Sequence, residues 1–125
     1  MKKCISSILL AITFLIAGLD SSFQWAAFQR LTKVLIDRQN DLVVLIGPFN
    51  EHMLSEENKT RFRKLRDGIV EWFSENGISF ILPDTLPSER YADASHPLTA
   101  GYARMAKELS SSERFRTWTG NIVAD

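Results

Sequence analysis

Cysteine is nearly missing from this chain of 125 residues: Cys4 stands alone, so no intramolecular disulfide can form and the redox compartment is left open. Clustered metal ligands are missing too. Two histidines, one cysteine and scattered carboxylates show none of the spacings of a zinc site, and no metal or other cofactor is expected. There is no excess of charge, since fifteen Lys and Arg balance fifteen Asp and Glu. Without a long basic block, nucleic acid is not an expected partner. Internal repeats and glycine-rich dinucleotide or Walker-type loops are also lacking. No apolar run reaches the roughly 20 residues that comfortably cross a bilayer.

What is present is the composition of one small globular domain, with 45% hydrophobic residues. Met1-Lys2-Lys3 precede an uncharged, largely apolar run over 4–19, with the small pair Ala17-Gly18 near a point of cleavage. That is the form of a secretory signal over 1–20, which would make the protein secreted or periplasmic. Two other readings stand beside it, a strand over 8–17 buried on both faces and a short membrane anchor; without a signal the protein is expected in the cytoplasm. No cysteine follows Gly18, so the bacterial lipoprotein form of such a signal does not apply.

Ser21 or Ser22 can cap a helix running to about Asp37, with Phe23, Ala27, Leu31, Val34 and Leu35 along one side. Residues 42–46, LVVLI, lie between Asn40-Asp41 and Gly47-Pro48 and read as a strand buried on both faces. From Ser55 an amphipathic helix is predicted to about Asn76, with Phe62, Leu65, Ile69, Trp72 and Phe73 packed and Glu56, Glu57, Lys59, Arg63, Lys64 and Asp67 on a solvated face. Gly77 ends it in the left-handed conformation, and a second buried strand follows over 78–82 until Pro83. Strand, helix, strand makes a right-handed βαβ unit and an α/β fold. Phe115 and Trp118 in the tail are expected to pack back on this domain.

Two loops carry the chemistry. Gly47-Pro48-Phe49-Asn50 sits at the carboxyl end of a strand, where open α/β sheets bind ligands; Gly47 admits close backbone approach and Asn50 can present an amide N–H. A turn stabilised by the Asn50 side chain is the plainer reading. His52 reads as a loop or surface residue. In the second loop Asp93 precedes His96 by three residues as a helix begins, with Pro97 suited to its first turn and Leu98, Tyr102, Met105 and Leu109 recurring as one buried face. Asp93 can reach the imidazole Nδ1–H and fix the tautomer that leaves Nε2 to accept a proton. A loop histidine with a capping role is the alternative.

The phrase DASHPLTAGYARMA, 93–106, resembles the last sequence block of the SGNH (GDSL-type) esterase and lipase family, in which Asp-x-x-His followed by Pro supplies two members of a catalytic triad. Gly47-Pro48-Phe49-Asn50, with Glu51 after it, resembles that family's Gly-x-Asn block with one residue more between the glycine and the asparagine. Gly18-Leu19-Asp20-Ser21-Ser22 resembles a degenerate Gly-Asp-Ser block. The resemblance implies hydrolysis of carbohydrate or lipid esters, with His96 as general base, Asp93 orienting it, Asn50 donating in the oxyanion hole beside Gly47, and Ser21 the one serine to propose as nucleophile. Ser21 is equally well a helix cap or the residue after signal cleavage.

The resemblance further implies a flavodoxin-like, three-layer αβα sandwich of parallel strands, present only in part. One helix and one strand between Ser21 and Asn50 leave no room for the family's second block, so 21–125 correspond to the C-terminal portion of such a domain. The expected partner is a small-molecule or glycan ester. Helix faces bearing Phe23, Phe62, Trp72 and Phe73 would then lack part of their sheet, so self-association or completion by another chain is expected. A non-catalytic remnant or binding module of the same fold is the alternative function.

Overall fold

The buried run at 42–46 becomes the middle strand of a small parallel sheet. A computed structural model describes residues 19–120 and the backbone of residues 3–8. Strand β1 (Lys3–Ile8) pairs in parallel with β2 (Asp41–Ile46), from Lys3 opposite Asp41 to Ile8 opposite Ile46. On its other edge β2 pairs in parallel with β3 (Ser79–Ile81), with Val44 opposite Phe80, giving the order β1-β2-β3. β1 thus precedes the strand expected over 8–17, of which only Ile8 falls within the described residues. Residues 9–18, which carry most of the apolar run behind the signal and anchor readings, lie outside the described residues.

Among the described residues four helices complete a mixed α/β fold: α1 (Phe23–Asp37), α2 (Glu56–Glu75), α3 (Thr99–Ser111) and α4 (Glu113–Gly120). Among the described residues none is long and apolar enough to cross a membrane. Local chemistry sets their ends. Ser22 Oγ accepts from Trp25 N at 3.3 Å and Ser55 Oγ from Asn58 N at 3.4 Å, so each satisfies an amide that the first turn leaves unpaired. Both long helices stop through a left-handed residue. Gly77 has φ 63° and lets Ile78 N reach Phe73 O at 2.9 Å; Gln39 has φ 60° and lets Asn40 N reach Leu35 O at 3.0 Å.

Alternation along β2 divides the core. Leu42 and Val44 face Trp25 and Phe28 of α1 and Phe73 of α2, a cluster joined by Ile78, Trp72 and Phe80. Trp25 meets Trp72 edge-on at 5.1 Å and Phe28 meets Phe73 at 5.8 Å. Val43 and Ile81 on the opposite face meet Trp118 of α4, with Leu109 and Phe115 alongside. The tail therefore packs on the sheet, and Trp118 Nε1 donates to Asp41 O at 3.2 Å.

The packed face of α1 differs from the one its spacing suggested. Trp25, Phe28 and Thr32 are buried, whereas Phe23 is 90% exposed and Leu31 and Val34 are also open. Two stripes compete on this helix, and the one with the larger aromatic area meets α2. With the Gln29 amide oxygen turned towards the indoles, it accepts from Trp25 Nε1 and Trp72 Nε1, each at 3.0 Å, which fixes the choice. Of the four aromatics expected to lack cover, Phe73 is fully buried, and Phe62 and Trp72 are partly covered.

Candidate active site

Beyond Ile46 the chain leaves the sheet through Gly47 and Pro48, and Phe49 stacks on Phe62 of α2 with ring centres 4.9 Å apart. A 3-10 turn at Glu51–Met53 follows. Asn50 stands just ahead of that turn and is 3% exposed. Its backbone N–H donates to Ala94 O at 2.9 Å, which ties the loop after β2 to the loop after β3. Its side-chain Oδ1 is buried and meets no donor. A buried amide oxygen without a partner is costly, so the bland reading of Asn50 as a self-bonded turn residue does not describe it.

The second loop is closed at its base by an antiparallel bridge between Tyr91 and Pro97, with Ala92 N donating to His96 O and Leu98 N to Arg90 O, both at 2.7 Å. Pro97 is therefore part of the bridge and not of a helical turn. Helix α3 starts at Thr99, and His96 stands three residues ahead of it at the loop tip. Of the expected face of α3, Met105 is buried and Leu109 partly buried, whereas Leu98 and Tyr102 are half exposed and Gly101 is buried in their place. Gly101 explains the register: a Cβ there would lie 2.7 Å from Arg90 O and 2.9 Å from Pro97 Cβ. The helix presses its glycine against the loop, and Met105 joins Leu86 and Tyr91 beneath it.

Within the loop tip, Asp93 Oδ1 accepts from Ser95 N at 2.8 Å and His96 N at 2.9 Å, the Asx-turn bonding that short acidic side chains offer their own backbone. The same carboxylate lies against the imidazole, with His96 Nδ1 at 2.9 Å from Oδ1 and 2.8 Å from Oδ2. Ser95 Oγ is 3.3 Å from that nitrogen. All of these contacts of the ring are made by Nδ1, and both side chains are more than half exposed. The Ser95 amide, and then the imidazole, hold the Asp93 carboxyl below the usual range. An imidazole anchored at Nδ1 to an ionised carboxylate presents Nε2 as a proton acceptor.

Glu51 and Tyr91 are the groups that sequence reasoning passed over. Glu51 is 8% exposed; Arg63 Nε donates to its Oε2 at 3.0 Å and Thr85 Oγ1 to its Oε1 at 2.9 Å, with Arg66 Nη1 3.9 Å from Oε1. Arg63 stays 55% exposed, as a residue of the solvated face of α2, while its Nε reaches Glu51. Tyr91 is buried; its hydroxyl donates to Phe49 O at 3.2 Å and accepts from Leu86 N at 3.4 Å, and burial pushes its pKa up. His52 is exposed, with Nε2 3.1 Å from Leu86 O.

Ser21 ends the 3-10 turn Leu19–Ser21 that leads into α1; it is exposed, and Ser22 is the residue that caps the helix. The start of α1 lies against the second half of α2, where Trp25 meets Trp72 and a Cβ on Gly68 would stand 3.5 Å from Leu19 Cδ2. Asn50 and the Asp93/His96 loop follow the carboxyl ends of β2 and β3. Among the described residues, no three His, Cys, Asp or Glu side chains gather as a metal site. No family model, curated protein or solved structure matches the chain.

Proposed function

We propose that this chain carries the base and oxyanion side of an SGNH-type ester hydrolase, on the C-terminal portion of a three-layer αβα domain. The observation that carries the reading is the Asp93–His96 pair, with both carboxylate oxygens within 2.9 Å of Nδ1. It is supported by Asn50, whose backbone is bonded to the loop that bears the pair.

In this reading His96 Nε2 takes the proton of a serine hydroxyl as the oxygen attacks the ester carbonyl. Asp93 keeps the Nδ1 proton in place and stabilises the imidazolium that forms. Negative charge grows on the carbonyl oxygen, and the Asn50 amide donates to it; removing one such donor costs about 100- to 1,000-fold in rate. The imidazolium then protonates the leaving alkoxide; water, deprotonated by the same Nε2, attacks the acyl group, and the imidazolium returns that proton to the serine oxygen as the acid leaves. The nucleophile is Ser21 or a serine supplied by another chain. Substrates are carbohydrate or lipid esters.

Purified protein assayed with p-nitrophenyl acetate tests this, with His96→Ala and Asn50→Ala as controls. Turnover that His96→Ala abolishes supports the reading, and a rate equal to that of His96→Ala rules it out. A fluorophosphonate label mapped to Ser21 identifies the nucleophile. One observation favours a second reading, a binding module without turnover: the ring contacts of His96 are with Asp93 and Ser95, not with Ser21.

A further inference from the structure

We infer that Glu51 is a positioning residue, a buried clamp that fixes the Asn50 turn to α2 and to the loop leading to His96. The purpose of that placement rests on the ester-hydrolase reading; the clamp itself does not. A carboxylate at 8% exposure has lost most of its water and persists only where charges and hydrogen bonds replace it. Here the replacements come from two segments distant in sequence: Arg63 and Arg66 of α2, and Thr85 in the loop after β3.

Their placement is what makes the clamp specific to the site. Asn50 makes no side-chain hydrogen bond among the described residues, so its amide is aimed by its backbone and by the packing around it. That backbone is gripped on both sides. Before it, the Phe49 carbonyl accepts from Tyr91; after it, the Glu51 carboxylate accepts from Thr85. Tyr91 and Thr85 both belong to the chain that delivers Asp93 and His96. The two grips therefore set where the Asn50 amide stands relative to the dyad, and the Asn50 N–H to Ala94 O bond reads out that setting.

Amide hydrogen exchange on the full chain tests the clamp, comparing wild type with Glu51→Ala, Glu51→Gln and Thr85→Val. The clamp predicts that in Glu51→Ala the Asn50 amide exchanges roughly tenfold faster or more relative to that of Val44 in the sheet. Glu51→Gln keeps an acceptor oxygen and restores most of the protection. Asn50 and Val44 accelerating in step would overturn the proposal, since that is what a general loss of stability produces. Should Glu51→Ala not fold, Thr85→Val removes the same grip from its other end, and its exchange ratio is judged in the same way. With ester turnover in hand, Glu51→Ala lowers kcat about tenfold with KM within about twofold. Wild-type protein without turnover counts against the hydrolase reading, and the exchange ratio still decides the clamp.

Discussion

The backbone N–H of Asn50 donates to the carbonyl of Ala94, 44 positions later in the chain, at 2.9 Å. This bond joins the loop that follows β2 to the loop that follows β3, and it does so between the two loops singled out for chemistry. The neighbouring grips at Phe49 and Glu51 keep the junction closed from both sides. An asparagine amide and a histidine–carboxylate pair are thereby held by one local frame.

Acid should loosen this frame. Burial, the largest single influence on Glu51, would raise its pKa, but hydrogen bonds from Thr85 and Arg63 and the charges of Arg63 and Arg66 together bring it below the ordinary value of 4.5. The unfolded chain then binds the proton first, so the stabilisation is present above pH 4.5 and is lost as pH falls through the folded value. Urea unfolding as a function of pH should show stability declining on this acid branch, with a shallower slope in Glu51→Gln. An unchanged slope would mean that the carboxylate is not held in this way. Asp93, depressed from 3.8 chiefly by the Ser95 amide, adds to the decline at lower pH.

Gly101→Ala should destabilise the protein although alanine is the better helix former. The new Cβ would meet Arg90 O at 2.7 Å, Pro97 Cβ at 2.9 Å and Leu86 Cδ1 at 3.0 Å. Helix propensity favours alanine by about 1 kcal/mol, and overpacking of this kind costs about 1–3 kcal/mol, so the net loss is expected to lie between zero and about 2 kcal/mol. Chemical denaturation measures it. Because Arg90 O also accepts from Leu98 N, the shift should reach the loop that carries His96. A variant more stable than wild type would contradict the packing described.

The two stripes of α1 can be told apart by substitution. Phe28→Ala, made in the buried aromatic cluster, should cost about 3–5 kcal/mol in urea unfolding. Phe23→Ser, at a position 90% exposed, should change stability by less than about 0.5 kcal/mol. The reverse order would mean that α1 packs through the Phe23, Ala27, Leu31 and Val34 side.

What the sequence made legible was mostly local. Ser22, Ser55 and Gly77 mark helix ends because caps and left-handed stops need particular residues within a few positions. The run at 42–46 marks a central strand because burial on both faces leaves no polar position. The face of α1 was not legible, since Phe23/Ala27/Leu31 and Trp25/Phe28/Thr32 both recur at helical spacing and only the arrival of Trp72 and Phe73 decides between them. The start of α3 is not legible for a similar reason: Pro97 suits a first helical turn, yet the strand-like bridge to Tyr91 captures it. In the candidate site, the spacing of Asp93 and His96 is local information. The burial of Glu51 is not, because it depends on Arg63 and Arg66 crossing from a helix whose charged residues mostly face water.

The most direct measurement is the tautomer of His96, read from its imidazole 15N shifts in wild type and in Asp93→Asn. The neutral ring should carry its proton on Nδ1, hydrogen-bonded to Asp93 across 2.8–2.9 Å, with Nε2 unprotonated, and Asp93→Asn should shift the population away from this form. A neutral ring protonated on Nε2 in the wild type, or a tautomer population indifferent to Asp93→Asn, would contradict it.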